Sequence, residues 1–177
     1  IGQNEFFENY QEPFEVDHII GCAMWIPVQL IRELGLFDSR FFLNFEETDW
    51  CMRAKSAGVR FWSIPKAILW HKISSSFVSK MHNTYFMHRN RPLWLSKHFT
   101  RTERLRLFWR DKALRLVTKI LRFPLRILFF PFAWIFFRNY CGHLSYSIAQ
   151  EFIEFIGWYH YLIGRFGDCP QWVFKLS

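Results

Sequence analysis

The sequence predicts an α/β domain over residues 1–98 and an α-helical tail over 99–177. Three observations lead there. Short β-prone segments alternate with helical ones in the front half, each stopped by Gly or Pro. The charge changes sign between the halves. Residues 1–65 hold five Lys/Arg against ten Asp/Glu, and residues 66–177 hold eighteen against five. The rear half also carries a basic amphipathic stretch followed by an uncharged aromatic run.

Residues 1–15 are polar, acidic and aromatic, which reads as a loop. The string VDHIIGCAMWIP, residues 16–27, reads as a buried strand bent at Gly21. Pro27 suits the first turn of a short helix, and Gly35 stops it after Val28–Leu34. An aromatic loop, GLFDSRFFLNF, leads to the clearest helix of the front half. Asn44 is its expected N-cap, Glu46, Glu47 and Asp49 load its first turn, and Gly58 closes it. VRFWSI and AILWH read as two further strands, the second ending at His71, with a loop at Ser74, Ser75 and Ser76.

The rear half changes character, and a helix is expected over Tyr85–His98 despite Pro92. At about 100° per residue, Arg101, Arg104, Lys112, Arg115, Lys119 and Arg122 share one narrow sector. Leu105, Trp109, Ala113, Leu116, Val117 and Ile120 gather away from it, with Arg106 and Arg110 intruding on long stems. The uncharged run ILFFPFAWIFF, residues 127–137, is shorter than the roughly 20 residues a spanning helix needs and contains Pro131. It reads as interfacial or re-entrant. A last helix, about Ser145 to Ile163, ends near Gly164.

Cys22, Cys51, Cys141 and Cys169 are scattered without a C-x-x-C pair, which argues against a zinc finger or a disulfide framework. A reducing compartment follows as the default, with Cys22 expected as a small buried residue. A basic, aromatic rear suits an anionic surface. A solvated face and nucleic-acid binding are the competing readings. No nucleic-acid motif supports the latter, so no nucleic acid is expected as a partner.

The chemistry concentrates between Gly35 and His71. On a helix, Glu46, Asp49 and Arg53 share a face and can form a row of ion pairs. Glu47 lies about 100° away, beside Trp50 and Ala54, and is the carboxylate left to point elsewhere. Spacing alone also allows a capping box, in which Glu47 folds back on the Asn44 amide. A lone histidine such as His71 is more often structural than a ligand.

Gly35, Phe37, Asp38, Phe41, Phe42, Glu46, Glu47, Asp49, Arg53, Gly58, Pro65, Trp70 and His71 occur in the order and spacing of a known signature. This run resembles the acceptor-side motif of family 2 glycosyltransferases of the GT-A fold, in their rhamnosyltransferase-like branch. Asp17 and Gly21 upstream, and Tyr85, Arg89 and Asn90 downstream, extend the resemblance from about residue 16 to residue 97. It implies the carboxy-terminal half of a Rossmann-like GT-A domain. It further implies inverting transfer of a sugar, with dTDP-rhamnose as the family-level donor, to a saccharide or lipid-linked saccharide. Glu47 takes the place of the catalytic base, where many members carry Asp. His71 takes the place of a ligand to the Mg²⁺ or Mn²⁺ ion on the donor diphosphate. Asp17, Gly21, Glu46, Asp49 and Arg53 are supporting residues. The family's metal-binding D-x-D is absent from these residues, so it and the nucleotide-binding sheet are expected upstream, and this portion alone is expected to be inactive. The basic face, Arg101 to Arg122, would hold the enzyme on the cytoplasmic face of the plasma (inner) membrane.

Overall fold

The computed structural model describes residues 11–71, 79–107, 109 and 138–175. It divides into two compact units, Ile1–Phe77 and Val78–Ser177. The boundary falls earlier than the expected 98/99. The helix over Lys80–His98 packs against Arg138–Leu162 and so belongs with the rear unit.

In the front unit the order is β1 (Phe14–Val16), α1 (Val28–Leu34), α2 (Glu46–Ser56) and β2 (Phe61–Ser63). β1 and β2 pair antiparallel, with Phe14 opposite Ser63 and Val16 opposite Phe61. The expected strand over 16–27 is therefore corrected. The ladder ends at Val16, and part of the expected opening loop belongs to β1. Beyond it the apolar residues are satisfied by packing: Ile19, Met24 and Ile26 lie on a core of Trp50, Cys51, Ala54 and Phe61, while Ile20 and Trp25 face outward. AILWH is not a strand either. Ile68, Leu69 and Trp70 are exposed, and β-propensity without a partner ladder builds no sheet.

α1 and the C-terminus of α2 follow the punctuation in the sequence. Pro27 precedes α1 and Gly35, at φ 77°, follows it. Past α2, Gly58 sits at φ 84°, its N–H donates to the Lys55 carbonyl at 3.0 Å, and Val59 N–H donates to the Ala54 carbonyl at 3.0 Å. This is a Schellman closure, with Val59 packed on the core beside Ala54.

The rear unit holds α3 (Lys80–His98), α4 (Arg138–Leu162) and a 3₁₀ helix, Gln171–Lys175. α3 starts earlier than expected because Ser79 caps it, accepting from His82 N–H at 3.2 Å. It continues through Pro92. Residues 101–107 are helical, and a capping box starts them. Thr100 N–H donates to Glu103 Oε2 at 2.8 Å, and Glu103 N–H donates back to Thr100 Oγ1 at 3.3 Å. Arg101 and Arg104 belong to this turn. Lys112, Arg115, Lys119, Arg122, residues 127–137 and Ser74–Ser76 lie outside the described residues. Among the described residues no helix is long and apolar enough to cross a membrane.

The α3–α4 seam is built on Tyr85, Arg89 and Asn90, all fully buried. Tyr85 Oη lies 2.7 Å from His160 Nδ1 on α4. Arg89 donates from Nε to Asn90 Oδ1 at 2.9 Å and from Nη1 to the Gly167 carbonyl at 2.5 Å. Its guanidinium stands 4.7 Å from the Phe86 ring centroid, replacing lost hydration with hydrogen bonds and an aromatic face. Gly157 of α4 completes the seam. A Cβ there would come within 2.7 Å of the Tyr85 carbonyl oxygen and 3.1 Å of Arg89 N. Gly157→Ala should gain about 1 kcal/mol from helix propensity yet lower the thermal unfolding midpoint, because its clash is with backbone. A raised midpoint would show that the helices separate freely at this point.

Candidate active-site turn

The approach to α2 is a tight aromatic loop. Arg40 donates from Nη2 to Asp38 Oδ2 at 2.6 Å and from Nε to Oδ1 at 3.0 Å. Phe41 N–H donates to the Asp38 carbonyl at 3.1 Å, and the Phe41 ring is fully buried. Leu43 N–H then donates to the Phe41 carbonyl at 2.7 Å, closing a three-residue turn around Phe42. Phe42, Asn44 and Phe45 have φ of 60°, 67° and 73°. Left-handed backbone costs roughly 1–2 kcal/mol per non-glycine residue, and such residues gather where a site over-determines the chain.

This geometry overturns the expected cap. The N-cap of α2 is Phe45, with no side-chain capping bond. Asn44 and Phe45 are both left-handed, whereas a side-chain-capping residue is typically extended. The Asn44–Glu47 capping box does not form, and Glu47 is left without that structural employment.

The expected ion-pair row forms in part. Asp49 is fully buried and accepts from Arg53 Nε at 3.1 Å. Arg53 also donates to the Leu34 carbonyl and, at 2.8 Å, to the Leu36 carbonyl. Trp50 Nε1 donates to the Gly35 carbonyl at 3.0 Å. Glu46 is not in the row; its Oε2 is buried without a hydrogen-bond partner. Burial pushes the Glu46 carboxyl pKa above its usual value, against a favourable backbone bond and with the charge of Glu47 adding to the rise.

Glu47 is half-buried and lies on Gly21, where an added Cβ would stand 3.4 Å from Glu47 Cβ. Its Oε2 is likewise buried without a hydrogen-bond partner. Asp17 faces solvent and pairs with Lys55, which holds its carboxyl below the usual range. Thr48 Oγ1 lies 3.4 Å from His18 Nε2. Cys22 is exposed, contrary to expectation.

His71 is exposed at the end of the described stretch, after an almost fully exposed Trp70. No hydrogen bond or ion pair joins it to Glu47. The front unit has two open concavities, one lined by Val16, Lys55 and Phe61, the other by His18, Thr48 and Cys51, with Asp17 in both. Glu47 and His71 line neither. His71 also belongs to no described group of three metal-donor side chains. The described residues around it do not by themselves supply a set of ligands for a divalent ion. Comparison with protein-family models, curated proteins and solved structures finds no match for the chain.

The partly desolvated carboxylate of Glu46 has a pH signature. Its folded pKa is raised, so unfolding is favoured once the unfolded chain ionises near 4.5. Stability present below that value is lost as pH rises through the folded pKa. Glu46→Gln should therefore be more stable than the parent at pH 7, and the difference should vanish below pH 4.5. A gain that persists unchanged into acid would rule out ionisation as its source.

Proposed function

We propose that this chain contributes the acceptor side of an inverting glycosyltransferase acting on a nucleotide-diphospho-sugar, with Glu47 as general base. The observation that carries the reading is the unsatisfied Oε2 of Glu47, buried at the first turn of α2 and packed on Gly21. A buried acceptor without a donor costs about 1–3 kcal/mol, a cost relieved by an incoming hydroxyl. Asp49, by contrast, is committed to Arg53. The three left-handed residues before the helix are further support. As base, Glu47 accepts the acceptor hydroxyl proton while that oxygen forms a bond to the anomeric carbon and the nucleoside diphosphate leaves from the opposite face. One displacement inverts the centre. A Mg²⁺ or Mn²⁺ ion would supply charge neutralisation of the diphosphate; His71 remains its family-implied ligand, and further donors would have to come from other residues. Rhamnose is proposed on the resemblance alone.

Glu47→Gln, made in the protein that includes its nucleotide-binding region, should lower transfer by about 10²–10⁴-fold while donor binding persists. Near-normal turnover would remove Glu47 as base. Loss of donor binding together with transfer would instead favour a structural role for the turn.

We further propose that the rear unit meets the cytoplasmic surface of the plasma (inner) membrane, where a lipid-linked saccharide would be presented. On α4, Phe152, Phe155, Tyr159 and Leu162 recur at helical spacing and are all exposed. They supply an exposed apolar face in the unit whose sequence also carries the basic residues from Arg101 to Arg122. The chain should float with anionic vesicles at low salt. Flotation should fall sharply in 1 M salt, where the Debye length is about 3 Å, or when the six basic residues are changed to Gln. Salt-independent flotation would leave only the apolar contribution standing.

A further inference from the structure

In the rear unit, His82, Asp168 and Cys169 bring an imidazole nitrogen, a carboxylate oxygen and a thiol sulfur within 4.8 Å of one another. We propose that these three side chains form a divalent-metal site suited to Zn²⁺, independent of Glu47 and of sugar transfer.

The donor set favours a borderline-soft ion. Thiolate with imidazole selects zinc over magnesium or manganese, and three protein ligands leave a fourth position for water. Zinc bonds of about 2.0–2.3 Å place tetrahedral ligands closer together than the present spread, so small side-chain rotations would close the set. Two of the three donors are already held in place. His82 lies in the first turn of α3, its N–H bonded to Ser79 Oγ at 3.2 Å, and its ring stands edge-on to Phe86 at 5.0 Å. Cys169 is buried, and its N–H donates to Asp168 Oδ1 at 2.7 Å, orienting the carboxylate beside its own thiol. Asp168 is exposed, so the site opens to solvent on that side and an ion has a path in. Burial pushes the Cys169 thiol up to about 11; coordination would displace its proton. The ion would tie the start of α3 to the loop that follows α4, segments far apart in the chain.

The test uses the untagged full chain with Co²⁺ as a visible probe. A thiolate-to-cobalt charge-transfer band should grow, saturate at one equivalent and bleach on adding Zn²⁺, and Zn²⁺ should raise the thermal midpoint. Cys169→Ser, checked for folding by circular dichroism, should lose the band. Asp168→Asn changes an exposed residue and should fold normally. Loss of even an outer-shell partner weakens metal sites about 10–100-fold, so it should weaken cobalt binding at least about tenfold. No band in the parent, a band that survives Cys169→Ser, or undiminished affinity in Asp168→Asn would each overturn the assignment.

Discussion

The front unit depends on Arg53. A guanidinium can serve several acceptors at once because its donors are fixed in a plane. Arg53 uses them to neutralise the buried Asp49 carboxylate and to satisfy the Leu34 and Leu36 carbonyls around the end of α1. The last carbonyls of a short helix have no intrahelical partners. Here two side chains of α2, Arg53 and Trp50, provide for this region. The orientation of α2 against α1 is thereby fixed, and with it the direction in which the first turn of α2 presents its carboxylates.

That arrangement gives three neighbouring acids different fates. Asp49 is neutralised. Glu46 is half-buried with one oxygen lacking a hydrogen bond, and its ionised form is penalised. Glu47 rests on a glycine with a buried oxygen also unsatisfied. The loop that enters the helix is what prevents the simplest relief. With Asn44 and Phe45 both left-handed, the N-cap Phe45 makes no side-chain capping bond and the reciprocal bonds with Glu47 do not form. The backbone conformation thus leaves the Glu47 oxygen without the reciprocal capping bond that the spacing offers.

Much of this was legible in the residues, for identifiable reasons. Gly35 and Gly58 end helices through local backbone geometry, and the i, i+4 pair of Asp49 and Arg53 depends only on helical periodicity. What the sequence misrepresents is whatever needs a distant partner. VDHIIGCAMWIP and AILWH have strand composition, but pairing is decided elsewhere in the chain, and among the described residues only Phe14–Val16 and Phe61–Ser63 find one another. The two capping motifs make the same point in reverse. Asn44–Glu47 has the right spacing and the wrong backbone, while Thr100–Glu103 forms the reciprocal bonds. The approach of His82 to Asp168 and Cys169 has no spacing signature, since it arises from the packing of the rear unit.

The absence of a side chain at Gly157 has a consequence for motion. With the two helix backbones in near contact at Tyr85, there is no methylene layer through which water could enter gradually. Opening this stretch would require the hydrogen bonds of Tyr85 and Arg89 to be given up together. Amide protons around residues 85–90 and 153–160 should therefore exchange among the slowest of the rear unit, released by cooperative unfolding of the helix pair instead of by local fraying.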